Sequence, residues 1–170
     1  MLGSLFRRLT AEPARGSPLF DALTRIAREP HWYVEGEVPD TLDGRFGVLA
    51  TVLAIIIVRL ERDGRAGNAA SVRLTERFIE VMESEHRELG LGDPTLGKTV
   101  RKLVGMLARK TELWRSTLST HHDWTAATRQ SLYKDEVPAH ALRHSGDALQ
   151  RFVARIGETS LGDLEQGNIA

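Results

Sequence analysis

The sequence predicts an all-α fold, a single-domain bundle of about six helices. Apolar residues recur at spacings of three and four along most of the chain. Turn formers at Asp63-Gly64, between Gly90 and Pro94, and at Val137-Pro138 break that pattern into helix-sized pieces. No stretch alternates apolar and polar residues over a useful strand length, and no internal repeat or low-complexity tract stands out. The 170 residues are enough for one domain with a proper core. The expected divisions are an N-terminal segment (residues 1–17), a helical domain (18–156) and a flexible tail (157–170).

The start, MLGSLFRRLT, places Leu2, Leu5, Phe6 and Leu9 on one side with Arg7 and Arg8 beside them. It is either a short helix resting on an anionic membrane surface or a frayed or core-docked terminus. It lacks the apolar core and small-residue cleavage site of a secretory signal. Residues 19–28 put Leu19, Leu23 and Ile26 on one helical face. HWYVEGEVPDT follows as an irregular connection. In it, Trp32 and Tyr33 either cap the bundle or line an apolar groove for another protein's helix.

Asp40 or Thr41 is placed to cap a helix over residues 42–62. Its run FGVLATVLAIIIV, closed by Arg45 and Arg59, is 13 residues long. As a helix it spans about 20 Å, short of a hydrocarbon core of roughly 30 Å. A helix buried on all sides is therefore expected. The next helix, 68–89, gathers Leu74, Phe78, Val81, Met82 and Leu89 against a charged opposite face, and Gly90 and Gly92 end it. Asp93 and Pro94 open a helix to about 118 with the stripe Leu96, Val100, Leu103, Leu107, Trp114 and Leu118. Helices over 124–135 and 139–156 complete the bundle.

Lys plus Arg equals Asp plus Glu at 23 each, so no bulk charge draws the chain to nucleic acid, and no DNA partner is expected. The absence of cysteine removes disulfides, thiolate metal sites and thiol nucleophiles. His140 and His144 are spaced like zinc ligands, but no HExxH glutamate lies between them, so surface histidines and no metal are expected. His121-His122-Asp123 falls in a loop. No catalytic trio or carboxylate pair is evident from spacing.

Gly92, Gly97, Lys98 and Thr99 match the GxxxxGK[ST] pattern of phosphate-binding loops. Such a loop needs a buried strand before it and a helix N-terminus after it. FIEVMESEHRELG instead reads as an exposed, acidic amphipathic helix. The glycines then serve as a helix stop and a tight turn, and nucleotide binding stands as an alternative reading only.

Charge is separated across this turn. Residues 76–93 carry six acidic and two basic groups, net −4, whereas residues 94–118 carry six basic and one acidic, net +5. Lys98, Arg101, Lys102 and Arg109 oppose the apolar stripe. That face either docks on an acidic surface (RNA, anionic lipid or a protein) or is solvated and balanced by the acidic helix.

YVEGEVPDTLDGRFGVLATVLAIIIVRL and MESEHRELGLGDPTLGKTVRKL together resemble the ubiquinol–cytochrome c chaperone family. The resemblance rests on Pro39-Asp40-Thr41, then Asp43-Gly44-Arg45-Phe46 opening a long apolar helix. Gly90-Leu91-Gly92-Asp93 with Gly97-Lys98 and Arg101-Lys102 follow. Arg129, Leu132 and Tyr133 of ATRQSLY resemble a third, weaker element, and the match runs over residues 20–135. Gly47 and Val52 depart from the family pattern, which often has an acidic residue and a histidine there.

The resemblance implies an all-helical assembly factor, not an enzyme, with no cofactor of its own. It implies binding of newly made cytochrome b, or another respiratory membrane subunit. It also implies a small partner protein, contact with the ribosome, and a place peripheral to the inner membrane, on the cytoplasmic side in bacteria or the matrix side in mitochondria. Tyr33, Asp40, Arg45, Lys98, Arg101 and Lys102 are the expected partner-binding residues. For Asp40 and Arg45 an internal role, as helix cap and buried ion pair, is the equal alternative.

Overall fold

The computed structural model describes residues 17–88, 90, 93–120 and 123–169. Among them the chain forms six helices of nine residues or more: α1 (Pro18–Ala27), α2 (Leu42–Leu60), α3 (Gly64–Glu88), α4 (Asp93–Thr120), α5 (Trp124–Leu132) and α6 (Ala139–Glu158). A short α7 (Leu161–Glu165) follows, and the described residues include no strand. Residues 1–16, which hold almost all of the expected N-terminal segment, and Leu89, Leu91, Gly92, His121, His122 and Ala170 lie outside the described residues.

Helix α2 is the hub. It packs on α1, α3, α4, α5 and α6. Thirteen of its residues are buried, from Phe46 to Leu60, as its unbroken apolar run requires. Burying each Leu or Ile of this set contributes roughly 1.5–3 kcal/mol before entropy is counted. Thr41, not Asp40, caps the helix: its hydroxyl accepts from the Gly44 amide at 3.2 Å. No helix among the described residues is long and apolar enough to cross a membrane.

The α2–α3 corner is tighter than the sequence suggests, and α3 starts at Gly64, four residues ahead of the expected start. A single 3₁₀ turn, Glu61–Asp63, joins the helices. Gly67 lies against the end of α2 so closely that a Cβ there would sit 1.8 Å from the Leu60 carbonyl oxygen. Helix α5 ends at Leu132, earlier than expected, because Tyr133 is extended. Its hydroxyl meets the Gly36 carbonyl at 2.5 Å and the Ser145 hydroxyl at 2.8 Å, which draws the chain off the helix axis.

The chain past Glu158 carries structure where a loose tail was expected. Arg59, only 10% exposed, donates to the carbonyls of Ile156 and Thr159 at the end of α6 and pairs with Asp63. A cation among the orphan carbonyls of a helix C-terminus satisfies them and complements the dipole. Ser160 then caps α7, and Leu164 is fully buried. Gly167, at φ +75°, turns the chain so close to the Pro18 carbonyl that no Cβ fits.

Candidate functional site

Helix α4 presents two unlike faces. Inward, Leu96, Leu107 and Trp114 are buried. The Trp114 indole donates to the Ser131 hydroxyl at 3.0 Å and meets the Trp124 ring edge-on at 5.0 Å. Outward, Lys98, Arg101, Lys102 and Arg109 are exposed. Among the described residues none of these four has a carboxylate within ion-pair distance, and no ion pair joins α3 to α4. Among the described residues, the acidic helix beside them does not neutralise them by direct contact. Gly97, Lys98 and Thr99 all lie within α4, not at the tip of a strand, so they do not form a phosphate-binding loop of the strand-fed kind.

The second group of expected residues lies at the start of α2. Arg45 Nε donates to Asp40 Oδ1 at 2.6 Å, with the two side chains 57% and 55% exposed, so the pair is a surface pair and not a buried one. The guanidinium hydrogen bond holds the Asp40 carboxyl below its usual range. The Tyr33 hydroxyl donates to the Ala27 carbonyl at 2.6 Å, and burial raises its pKa. Trp32 is fully buried with its indole on the Ile26 carbonyl, and Tyr33, partly buried, packs against the same core. Tyr33, Asp40 and Arg45 form one neighbourhood, and Lys98, Arg101 and Lys102 another.

A cleft of about 470 Å³ lies where the start of α2, the middle of α4 and the α5–α6 connection meet. Its apolar wall includes Met106, Leu113, Leu132 and Val137, and Glu37, Asp43, Asp135 and Glu136 supply acids. None of the six expected residues lines it, although Asp40 and Arg45 flank lining residues Pro39, Thr41 and Gly44. Asp43 pairs with Lys134 at 2.7 Å, and Glu37 with His140 at 2.9 Å. The basic lining residues are Arg109, Lys110 and Lys134.

Helical spacing alone does not single out Lys110. Its ammonium donates to the Thr51 hydroxyl at 3.3 Å and to the Ser131 carbonyl. Burial pulls its pKa from 10.5 down to about 8. A signal is present in the stripe, which steps by seven from Leu107 to Trp114 and so skips six residues. Lys110 and Thr111 fill that gap on the inward side.

Among the described side chains, His31, His140 and His144 are divided between two clusters. His31 Nδ1 faces His144 Nε2 at 3.1 Å and Nε2 faces Glu29 at 3.1 Å, while desolvation lowers the His31 pKa. His140 meets Glu37. Among the described residues no three His, Asp or Glu side chains converge as a metal site would require.

No curated protein sequence matches the chain significantly. Among solved structures, the Cbp3 homolog from Brucella abortus matches with a TM-score of 0.75 and 25% identity, covering 100% of this chain and 96% of that one. The profile of the ubiquinol-cytochrome C chaperone family matches residues 35–169. That span contains all of the cleft and all of the outward face of α4. The chain belongs to the ubiquinol–cytochrome c chaperone family.

Proposed function

We propose that this chain is a non-catalytic assembly chaperone for the respiratory ubiquinol–cytochrome c reductase, and that it binds newly made cytochrome b. The observation that carries this is the family match over residues 35–169. The structure supports it with a surface suited to holding protein: a part-apolar cleft beside a helix whose outward cations Lys98, Arg101, Lys102 and Arg109 have no direct acidic partner among the described residues. In this reading Lys98, Arg101 and Lys102 contact an acidic client, the ribosome or the membrane surface. Tyr33, Asp40 and Arg45 shape or contact the other end of the same interface. A small partner protein and a position peripheral to the inner membrane are part of the same reading.

The test is a tagged pull-down from membranes of the native host. Recovery of cytochrome b supports the reading, and its absence from a capture that retains other membrane proteins counts against it. The exposed basic face favours ribosome or RNA contact as the second reading. Absence of RNA binding at low salt removes direct RNA contact. Titration with labelled ATP and GTP plus magnesium addresses the glycine–lysine string. Micromolar binding lost in Lys98→Ala would restore the nucleotide reading.

A further inference from the structure

Lys110 differs from the other cations of the cleft. Arg109 and Lys134 are exposed, whereas Lys110 reaches inward to two buried residues, Thr51 at 0% and Ser131 at 4% exposure. An ammonium has three donors. Two go to neutral acceptors, the Thr51 hydroxyl and the Ser131 carbonyl. The Ser131 carbonyl belongs to the last turn of α5, so the helix dipole offers it a partial negative charge of about half a unit. No full counter-charge is within ion-pair distance among the described residues. Desolvation is the cause that pulls its pKa to about 8, so the group is still mostly cationic at neutral pH. A partly desolvated charge without its counter-ion is costly to keep, and fold packing alone would be served as well by an apolar side chain.

The acids around the cleft do not supply that counter-ion. Asp43 is taken by Lys134 and Glu37 by His140, and Asp135 and Glu136 are exposed on the α5–α6 connection. Beside Lys110, Met106 and Leu113 follow the same face of α4, with Leu132 and Val137 opposite in sequence. About 470 Å³ is within the size range of ligand sites, and admits a few side chains but not a whole helix. The acids on the rim disfavour a phosphate backbone, which brings many charges at once, far more than they disfavour one carboxylate among apolar groups.

We propose that this cleft is a docking site for a partner-protein segment carrying one Asp or Glu flanked by apolar residues, its carboxylate on Lys110 and its apolar neighbours against Met106, Leu113 and Val137. The identity of that partner as the chaperone's client rests on the proposed function; the carboxylate specificity does not. Pairing restores the missing counter-charge in a partly desolvated place, where a charge-assisted hydrogen bond discriminates by about tenfold or more.

The test uses the full chain on an array of overlapping peptides. One half of the array covers the host's cytochrome b, the other an unrelated host membrane protein, and each acidic peptide is paired with its amide twin (Glu→Gln, Asp→Asn). Captured peptides should be acidic ones with apolar flanks, and their twins should bind about tenfold more weakly. Lys110→Met should erase the difference while melting no lower than the wild type. The Ser131 carbonyl retains the Thr51 hydroxyl at 3.4 Å, so the variant leaves it partnered. Met106→Glu offers a second check, because it places an internal carboxylate four residues before Lys110 and should displace acidic peptides. Equal binding of twins, undiminished discrimination in both variants, or no capture in either half overturns the proposal. Lys110-dependent capture confined to the unrelated half leaves the cleft's specificity standing and counts against cytochrome b as the client.

Discussion

Helices α2 and α4 pack on each other at the centre of the molecule, yet they divide their surfaces in opposite ways. Thirteen of the 19 residues of α2 are buried. On α4, 28 residues long, the buried side chains among those described are Leu96, Leu107, Thr111, Trp114 and Thr117. Helix α2 is enclosed by five others and has little surface left to offer a partner. Helix α4 gives one stripe to the core, one flank to the cleft and one face of cations to solvent. The difference teaches where substitutions should read out as stability and where as binding.

The largest effect is expected inside α2. Ile56 has no exposed surface, and Ile56→Ala removes buried methyl groups and leaves a void. A loss of about 2–5 kcal/mol is expected in urea unfolding. A loss below 1 kcal/mol would mean that α2 is not the packed hub.

Lys110→Met sharpens the contrast on the cleft flank of α4, through pH. The folded chain releases the Lys110 proton near pH 8, whereas the unfolded chain keeps it to about 10.5. Between those values the unfolded state binds more protons, so wild-type stability rises with pH. Below pH 8 both states are protonated and the penalty on the folded state is constant. The wild type should therefore gain on Lys110→Met between pH 8 and 10, measured by urea unfolding at fixed ionic strength. Parallel pH profiles would show that Lys110 is not desolvated.

The smallest stability effect is expected on the outward face. Changing Lys98, Arg101 and Lys102 to Gln removes exposed charges with no direct partner among the described residues. Each should shift stability by no more than about 0.5 kcal/mol. Binding should respond instead: capture of an acidic partner weakens and its dependence on salt becomes shallower. A large drop in melting temperature would show that this face is internal support.

The sequence made the long helices legible because their burial repeats every three or four residues over many turns. The stretch from Phe46 to Val58 predicts the hub directly, and the proline before Thr41 marks its start. Short elements held by tertiary contacts were not legible. Helix α7 has five residues and owes its place to Leu164 in the core and to Arg59 at the preceding helix end, a partner about a hundred residues away. The cleft was hidden for the same reason. Pro39, Lys110 and Val137 meet only after folding, and the skipped positions in the α4 stripe were the single local hint. Asp40 and Arg45 were recognisable as partners, but exposure is a property of what surrounds them and not of their spacing.

The proposed function requires this molecule to hold cytochrome b soon after synthesis. The most direct measurement is a short radioactive pulse in the native host, followed by capture of the tagged chain and identification of the labelled proteins. The account predicts labelled cytochrome b in the capture, strongest immediately after the pulse and declining through the chase as the reductase assembles. Labelled cytochrome b at the level of an untagged control, at every time, would contradict it.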